Sequence, residues 1–339
     1  MIRVSVVGAT GYTGGELIKI LLKHPQVKLV HVTSESYAGK HISSVHQWLK
    51  GRCDMVCEPF KVTAVASDTD IAFLCLPHGA SFLPAAELLS KGNKVIDLSA
   101  DYRLKDAKLY KKWYSLNHPE PKLLKKAVYG LPELWHEKIQ SAHLIANPGC
   151  YATACILALA PLMHKKIAKT QMVIADAKSG VSGAGKKLNL MYHYAEANEN
   201  LTAYSVGSHR HMPEIEQELS FISGKKVLVS FTPHLIPMNR GILATCYVTL
   251  AKKIKQDDLI THFRDFYAKS PFVVVLPSGE YPETKNVSHT NFCHIGVHVD
   301  QEKKTAIIIS AIDNLIKGAS GQAVQNMNIM CGFNEAEGL

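Results

Sequence analysis

The first half of the chain alternates short apolar runs with stretches of helical periodicity. Helical patterns cover Glu16–Lys23 and Ser81–Lys91. The apolar runs between and around them predict five strands: Val4–Val7, Leu29–Thr33, Ile71–Leu76, Lys94–Leu98 and His143–Ala146. This alternation is typical of parallel βαβ units, so we expect a doubly wound α/β sheet.

Strand-like runs dominate the second half, with fewer helices between them. The clearest helical patterns are Pro213–Ile222, Asp257–Ala268 and a last one over Leu315–Met330. The predicted strands are Met172–Ala177, Val227–Phe231, Leu243–Leu250, Phe272–Leu276, His294–Val299 and Ala306–Ala311. This pattern predicts a mixed or largely antiparallel sheet with helices on one face, which is an α+β domain.

Size and charge add little to that picture. With 339 residues, 47% of them hydrophobic, the chain is long enough for two domains with sizeable cores. The net charge is +9, but the lysines lie in short, dispersed clusters and not along one stripe. A solvated surface is the main interpretation. Attraction of polyanionic small molecules is a weaker one, and nucleic-acid binding has no support beyond the charge.

The cysteines and the apolar stretches favour a cytoplasmic protein. None of the eight cysteines forms a C-x-x-C pair, so we predict neither a zinc site nor a disulfide framework. The uncharged stretch from Gln140 to His164 is interrupted by Asn147-Pro148-Gly149, which indicates buried core and not a membrane span. The chain opens directly on a strand, so we expect no signal peptide.

A glycine-rich turn follows the first strand and opens the first helix. It contains Gly8, Gly11 and Gly14, whose lack of side chains allows a pyrophosphate to approach backbone N–H groups at a helix N-terminus. Side-chain contacts with a dinucleotide are expected from Thr10, Tyr12 and Thr13. The position between a strand and a helix makes this a Rossmann-type cofactor loop.

The residues after the second strand leave the choice of dinucleotide open. Glu35 alone argues for NAD, because an acidic residue there holds the ribose 2′-hydroxyl. Ser34, Ser36 and Lys40 together favour a 2′-phosphate and therefore NADP.

Cys150 is the best candidate for a nucleophile. It follows the turn Pro148-Gly149, between an apolar strand and a helical stretch, which places it at a helix N-terminus. The N–H groups and the dipole there stabilise a thiolate. A packed core thiol is the alternative.

The segment Ser208-His209-Arg210-His211 supplies a base and a cation. Either histidine is suited to general acid–base chemistry beside a thiol, and a plain polar loop is the alternative. Arg210 is suited to bind a carboxylate or phosphate in bidentate fashion.

Further candidates lie at strand ends and in a second glycine-rich loop. Ser99 and Arg103 follow the fourth strand and are predicted to bind substrate, as is Asn147. Predicted cofactor contacts are Pro77, after the third strand, with Ser182, Gly183 and Asn314.

These motifs together resemble the N-acetyl-gamma-glutamyl-phosphate reductase family. The resemblance runs from Gly8 to about Gln325, and its most diagnostic blocks are Asn147-Pro-Gly-Cys-Tyr-Ala-Thr153 and His209-Arg-His-Met-Pro-Glu-Ile-Glu-Gln217. Met212 stands where the family pattern has threonine, and Glu35 where arginine is common.

The resemblance implies NADPH-dependent reduction of N-acetyl-γ-glutamyl phosphate in arginine biosynthesis, through a thioester on Cys150. His209 is then the acid–base, with His211 second. It further implies an NADP-binding domain over residues 1–148, a catalytic and oligomerisation domain over 149–314, and a helix over 315–331 that returns to the first domain. The expected assembly is a homodimer or homotetramer without metal.

Three other functions stay open at this point. They are aspartate-semialdehyde dehydrogenase, a reductase of carrier-protein-linked aminoadipyl phosphate, and a dinucleotide-sensing regulatory protein without catalysis.

Overall fold

The computed structural model describes residues 1–339, which form two compact units. One, here called the N-terminal unit, contains Met1–Pro148 together with Ala319–Leu339. The other, the central unit, contains Gly149–Gly318.

The N-terminal unit is built on a six-stranded, entirely parallel sheet with the strand order β2-β1-β3-β4-β6-β5. The strands are β1 (Ile2–Val7), β2 (Val27–Thr33), β3 (Ile71–Leu74), β4 (Lys94–Asp97), β5 (Val128–Tyr129) and β6 (Leu144–Ala146). The five predicted strands are all present. The sixth, β5, has two residues and is too short to give a periodic signal.

Eight helices belong to this unit, and the last of them is its most buried. The helices are α1 (Tyr12–Leu21), α2 (Ile42–Val45), α3 (Val62–Asp68), α4 (Phe82–Ser90), α5 (Ala107–Tyr114), α6 (Pro121–Lys126), α7 (Pro132–Gln140) and the C-terminal helix (Gly321–Cys331). The C-terminal helix packs against α1 and α7 and is buried from Gly321 to Met330. Two of its buried side-chain amides, those of Gln322 and Asn326, both donate to the carbonyl of Gly130.

The last α-helix begins later than its periodicity predicts. Regular α-helix starts at Gly321 and not at Leu315, because a π-helical turn over Ile316–Ser320 precedes it. The carboxylate of Asp313 accepts hydrogen bonds from the backbone N–H groups of Leu315 and Ile316 and holds this wider turn.

The central unit contains the predicted mixed sheet, with seven strands in the order β11-β12-β13-β10-β7-β9-β8. The β12-β13-β10-β7 pairs are antiparallel and the β7-β9 and β11-β12 pairs are parallel. The strands are β7 (Val173–Gly180), β8 (Thr202–Ala203), β9 (Val229–Ile236), β10 (Ile242–Thr249), β11 (Val273–Val275), β12 (Cys293–Asp300) and β13 (Thr305–Ile312). Strand β9 continues past Phe231, where the predicted strand ended, and runs through Pro233 to Ile236. Proline lacks an N–H, but its carbonyl still accepts from Tyr204.

The central helix α8 (Cys150–His164) forms the core of this unit. Every side chain from Tyr151 to Met163 is buried, and the helix contacts β10 and β13. The other helices are α9 (Tyr194–Ala197), α10 (Met212–Ser223) and α11 (Gln256–Phe266). Although apolar, α8 is only 15 residues long. None of the helices combines the length and the hydropathy that a transmembrane span requires.

Candidate active site

Four adjacent parallel strands of the N-terminal unit end at predicted functional residues. Strand β1 leads to Gly8, β3 to the turn containing Pro77, β4 to the loop from Ser99 to Arg103, and β6 to Asn147. The order changes direction between β1 and β3, which is where open α/β sheets bind their ligands.

The geometry of the glycine-rich loop fits a dinucleotide. Gly8 has φ +85°, and a Cβ there would lie 2.5 Å from the carbonyl oxygen of Cys75. A Cβ on Gly14 would lie 2.7 Å from the carbonyl oxygen of Ala9. Helix α1 begins at Tyr12, and its N-cap, Gly11, has no side chain to cover the first N–H groups. The loop is therefore suited to bind a pyrophosphate through its backbone.

The turn after β2 presents hydroxyl and ammonium groups. Ser34 is buried, with its hydroxyl 3.1 Å from that of Thr10, whereas Ser36 and Lys40 are exposed. The carboxylate of Glu35 accepts a hydrogen bond of 2.9 Å from the N–H of Phe60. That bond turns a Glu35 oxygen toward the backbone of Phe60, which weakens the argument for NAD.

The predicted substrate residues of this unit form a buried framework. Arg103 is 5% exposed and donates from Nε to the carbonyl of Asn147 and from Nη2 to that of Leu98. Asn147 donates from its backbone to the carbonyl of Asp97 and from Nδ2 to that of Ala319. The guanidinium of Arg103 is thus fixed by backbone carbonyls.

Ser99 forms hydrogen bonds with two buried acidic residues, Asp97 and Asp101. Its N–H and hydroxyl both donate to the carboxylate of Asp97, and its hydroxyl accepts from the N–H of Asp101. Burial, and then the negative charge of Asp101, raises the pKa of Asp97 to about 7. Asp97 is therefore half protonated near neutral pH.

In the central unit, Cys150 is the first residue of α8, as predicted. The N-cap is Gly149, in extended conformation with φ −72° and ψ 150°. Its N–H donates at 2.8 Å to the carboxylate of Glu214, which is 1% exposed at the start of α10. The hydroxyl of Thr153 donates back to the Gly149 carbonyl. The turn that presents the thiol is thus held from both sides.

His209 lies in an aromatic enclosure next to that turn. Its ring makes edge contacts with those of Tyr151, Tyr204, Phe231 and His211, at centroid distances between 4.8 and 5.6 Å. Burial, and then the positive charge of Arg210, lowers the pKa of His209 to about 4. His209 is therefore neutral at physiological pH, and it meets Tyr151, the residue that follows Cys150.

One hydrogen bond assigns the tautomer of His209. The N–H of His211 donates to Nδ1 of His209 at 3.1 Å, so Nδ1 is an acceptor. A neutral imidazole that accepts at Nδ1 carries its proton on Nε2. Nε2 is consequently a hydrogen-bond donor in the resting protein.

The π-helical turn makes a close contact with Cys150. A Cβ on Gly318 would lie 2.7 Å from the Cβ of Cys150 and 3.2 Å from its Cα. Gly318 is not at a positive φ, so the closeness of Cys150, and not backbone conformation, excludes a side chain.

The predicted cofactor residues of the central unit do come together. Asn314 is buried; its Nδ2 donates to the hydroxyl of Ser182, and its Oδ1 accepts from the N–H of Gly241. A Cβ on Gly183 would lie 3.6 Å from Nδ2 of Asn314. The second glycine-rich loop is therefore fastened to the segment that leads to the π-helical turn.

Sequence reasoning missed Glu214, Gly318 and the enclosure around His209. A signal for Glu214 exists, since it follows Pro213 in the first turn of a predicted helix, where an acidic residue is favoured. Phe231, in strand β9, and Tyr204, just after β8, carry no such signal, because an isolated aromatic residue in or beside a strand is most often core.

Both halves of the chain match semialdehyde dehydrogenase families. Residues 3–142 match the family described as semialdehyde dehydrogenase, NAD binding domain. Residues 150–314 match the semialdehyde dehydrogenase, dimerisation domain. The predicted fold class and the dinucleotide-binding domain are confirmed.

Curated relatives are similar over the whole chain. An N-acetyl-gamma-glutamyl-phosphate reductase of Citrifermentans bemidjiense is 53% identical over 340 residues, covering 100% of this chain and 98% of the relative. One from Symbiobacterium thermophilum is 50% identical over 339 residues, covering 100% and 97%.

Solved structures of the same fold are more distant in sequence. An aspartate semialdehyde dehydrogenase with NADP from Candida albicans has a TM-score of 0.75 at 16% identity, covering 98% of both chains. An aspartate semialdehyde dehydrogenase II from Vibrio cholerae has a TM-score of 0.74 at 18% identity, also covering 98% of both chains. These likenesses extend to the fold alone.

Proposed function

Because the chain belongs to the N-acetyl-gamma-glutamyl-phosphate reductase family, we propose that it reduces N-acetyl-γ-glutamyl phosphate to N-acetylglutamate 5-semialdehyde and phosphate in arginine biosynthesis. One observation carries the proposal within the structure: Cys150 opens helix α8 beside the enclosure of a neutral His209.

Cys150 acts first, as the nucleophile. Its thiolate attacks the acyl carbon, the bond from that carbon to the phosphate oxygen breaks, and phosphate leaves with the electron pair. The acyl group remains as a thioester on Sγ. Glu214 and Gly318 keep the thiol at the helix N-terminus, where dipole and N–H groups favour negative charge.

His209 serves the oxygen that becomes negative in both tetrahedral intermediates. With its proton on Nε2, a neutral His209 donates a hydrogen bond without first becoming charged. Hydride addition to the thioester leaves an alkoxide; as its C=O bond re-forms, the C–S bond breaks, the aldehyde leaves and the electron pair returns to Sγ as thiolate, so His209 ends the cycle neutral with its proton still on Nε2. His211, which orients His209 through its backbone N–H, is the second candidate for this role.

NADPH supplies the hydride that reduces the thioester when it is bound. In the N-terminal unit, the backbone of Gly8–Gly14 would hold its pyrophosphate, and Ser34, Ser36 and Lys40 its 2′-phosphate. The engaged carboxylate of Glu35 is compatible with that phosphate. In the central unit, Ser182, Gly183 and Asn314 would line the nicotinamide side, as Pro77 would in the N-terminal unit.

The anionic groups of the substrate are assigned to two arginines. Arg103 is held in place by carbonyl oxygens, and Arg210 is exposed beside the two histidines. Ser99 and Asn147 support the first of them. A guanidinium fits both phosphate and carboxylate geometry.

We further propose a cytoplasmic homodimer or homotetramer. One face of the seven-stranded sheet leaves apolar side chains partly uncovered, among them Ile174 and Tyr247, which are 41% and 37% exposed. The match of this unit to a dimerisation domain supports a second copy as the partner. Light scattering on the purified chain tests the stoichiometry.

The decisive assay runs the reaction backwards. Wild type is given N-acetylglutamate semialdehyde, inorganic phosphate and NADP, and NADPH formation is followed; aspartate semialdehyde is the competing substrate. We expect turnover with the acetylated substrate, and its loss in Cys150→Ala but not in the control Cys331→Ala. A Cys150→Ala protein that retains activity contradicts the covalent mechanism, and a preference for aspartate semialdehyde contradicts the substrate.

A further inference from the structure

Asp101 has one of the most heavily hydrogen-bonded side chains of the N-terminal unit, although no proposed step uses it. It is fully buried. Its carboxylate accepts from the N–H of Gly79 at 2.8 Å, from the N–H of Ser81 at 3.0 Å and from the hydroxyl of Tyr110 at 2.8 Å.

These donors come from separate parts of the unit. Gly79 and Ser81 form the turn between β3 and α4, and Ser81 is the N-cap of α4. Tyr110 lies on α5. The carboxylate therefore occupies the positive end of α4 and ties that turn to α5. Without this carboxylate, the buried N–H of Ser81 would lose its hydrogen-bond acceptor.

The backbone of Asp101 is fixed as firmly as its side chain. Its N–H donates to the hydroxyl of Ser99, and its carbonyl accepts from Nε2 of His118. The N–H of Glu120 donates to Nδ1 of the same ring, so His118 is the neutral Nε2–H tautomer. Burial lowers the pKa of His118, which preserves that donor.

Asp101 lies two residues before Arg103, at the centre of the loop that carries it. The guanidinium is aimed by the carbonyls of Leu98 and Asn147. Those carbonyls fix the far end of the side chain, and the contacts of Asp101 fix the backbone from which it starts. A loop held at both ends has little freedom to move the cation.

We propose that Asp101 is a positioning residue: by binding Gly79, Ser81 and Tyr110 it places the Ser99–Arg103 loop, and thereby Arg103, for the phosphate group of the substrate. The inference rests on the proposed function and deepens it by assigning the residue that sets phosphate affinity. Asp101 does not touch substrate, and its effect is transmitted through Arg103.

The test uses Asp101→Asn in the full-length enzyme with NADP. Asparagine keeps the shape but offers one acceptor oxygen, so its NH₂ faces either the hydroxyl of Tyr110 or the N–H of Ser81. In the reverse reaction, we expect KM for inorganic phosphate to rise about tenfold or more, with kcat and KM for NADP changed less than about threefold. A merely structural role predicts less active protein at an unchanged KM.

Two further variants separate positioning from stability. Tyr110→Phe removes one donor and keeps the ring; we expect a rise of about three- to tenfold in the same KM, at unchanged kcat. Asp106→Ala removes the N-cap of α5, which accepts from the N–H of Lys108, and leaves Asp101 untouched. It lowers stability without changing KM for phosphate.

Each outcome is decisive. An unchanged KM for phosphate in Asp101→Asn overturns the proposal; if that variant does not fold, an unchanged KM in Tyr110→Phe overturns it. An equal rise in Asp106→Ala also overturns it, because loss of stability would then explain the effect. Wild type without turnover contradicts the proposed function instead, so the two failures are distinguishable.

Discussion

Gly318→Ala tests whether the π-helical turn sets the position of the nucleophile. The added methyl carbon would lie 2.7 Å from the Cβ of Cys150, 3.2 Å from its Cα and 3.3 Å from the carbonyl oxygen of Asp313. Carbon atoms in contact prefer about 3.5–4.0 Å. Cys150 and the turn must therefore separate by about 1 Å, since all the contacted atoms are backbone or Cβ and no flexible side chain can yield.

A displacement of this size at the reacting atom lowers the rate of the chemical step strongly. Misplacement by about 1 Å costs on the order of a hundredfold in rate, so we expect kcat to fall about a hundredfold while KM for NADP stays unchanged. Steady-state kinetics in the reverse direction measure both, and iodoacetamide labelling reports how far the thiol itself has changed.

The matched control is Gly332→Ala at the end of the C-terminal helix. Gly332 has φ +70° and nothing within 4 Å of an added Cβ, so alanine there strains a helix cap without pushing against any other residue. It should lose thermal stability and keep kcat. A Gly318→Ala enzyme with wild-type kcat would refute the conclusion that the position of Cys150 requires a residue without a side chain at 318.

Three other predictions follow from the buried titratable groups. His209→Gln should lower kcat about a hundredfold or more; because the folded pKa is depressed to about 4, wild type should also lose stability relative to this variant as pH falls from about 6.5 to about 4, and parallel melting curves would contradict that. For Asp97 the pH dependence has the opposite sign, because its folded pKa of about 7 lies above the unfolded value. The free energy of unfolding of wild type, relative to that of Asp97→Asn, should therefore fall by about 4 kcal/mol as pH rises from about 4 to about 7. Thermal midpoints of both proteins across that pH range measure the effect, and a constant difference between them would contradict it. Glu214→Ala leaves the N–H of Gly149 buried without its acceptor and should cost about 1–3 kcal/mol, whereas Glu214→Gln keeps an acceptor oxygen; equal melting temperatures for the two would refute this role.

Much of the fold follows from periodicity because the two sheets differ in how their strands are covered. Strand β3 (Ile71–Leu74) is buried on both faces and gives a continuous apolar run, whereas β9 (Val229–Ile236) alternates buried and partly exposed residues. Those two patterns distinguish a parallel sheet between helices from a sheet with one covered face. The position of Cys150 at a helix N-terminus could also be predicted, because the turn Pro148-Gly149 just before it is a local sequence signal.

The rest of the site could not be predicted since it depends on contacts between distant segments. Burial in its enclosure lowers the pKa of His209, and Tyr151, Tyr204 and Phe231 reach its ring from three separate segments of the chain. A local pattern contains no information on such a meeting. Gly318 is similar, because its partner, Cys150, lies far away in the chain.

The state of His209 changes how the thiol must be activated. A base that forms a thiolate–imidazolium pair needs an imidazole that accepts a proton readily, but burial and Arg210 depress the pKa of His209 to about 4. Its Nε2 already carries a proton and its Nδ1 already accepts from the N–H of His211, so neither ring nitrogen has a free lone pair for the proton of Cys150. The negative charge on sulfur is therefore better stabilised by the N-terminus of α8, an interaction of about 0.3–2 kcal/mol. That division leaves His209 neutral for the later oxyanion, where a donor that needs no prior protonation works over the whole physiological pH range.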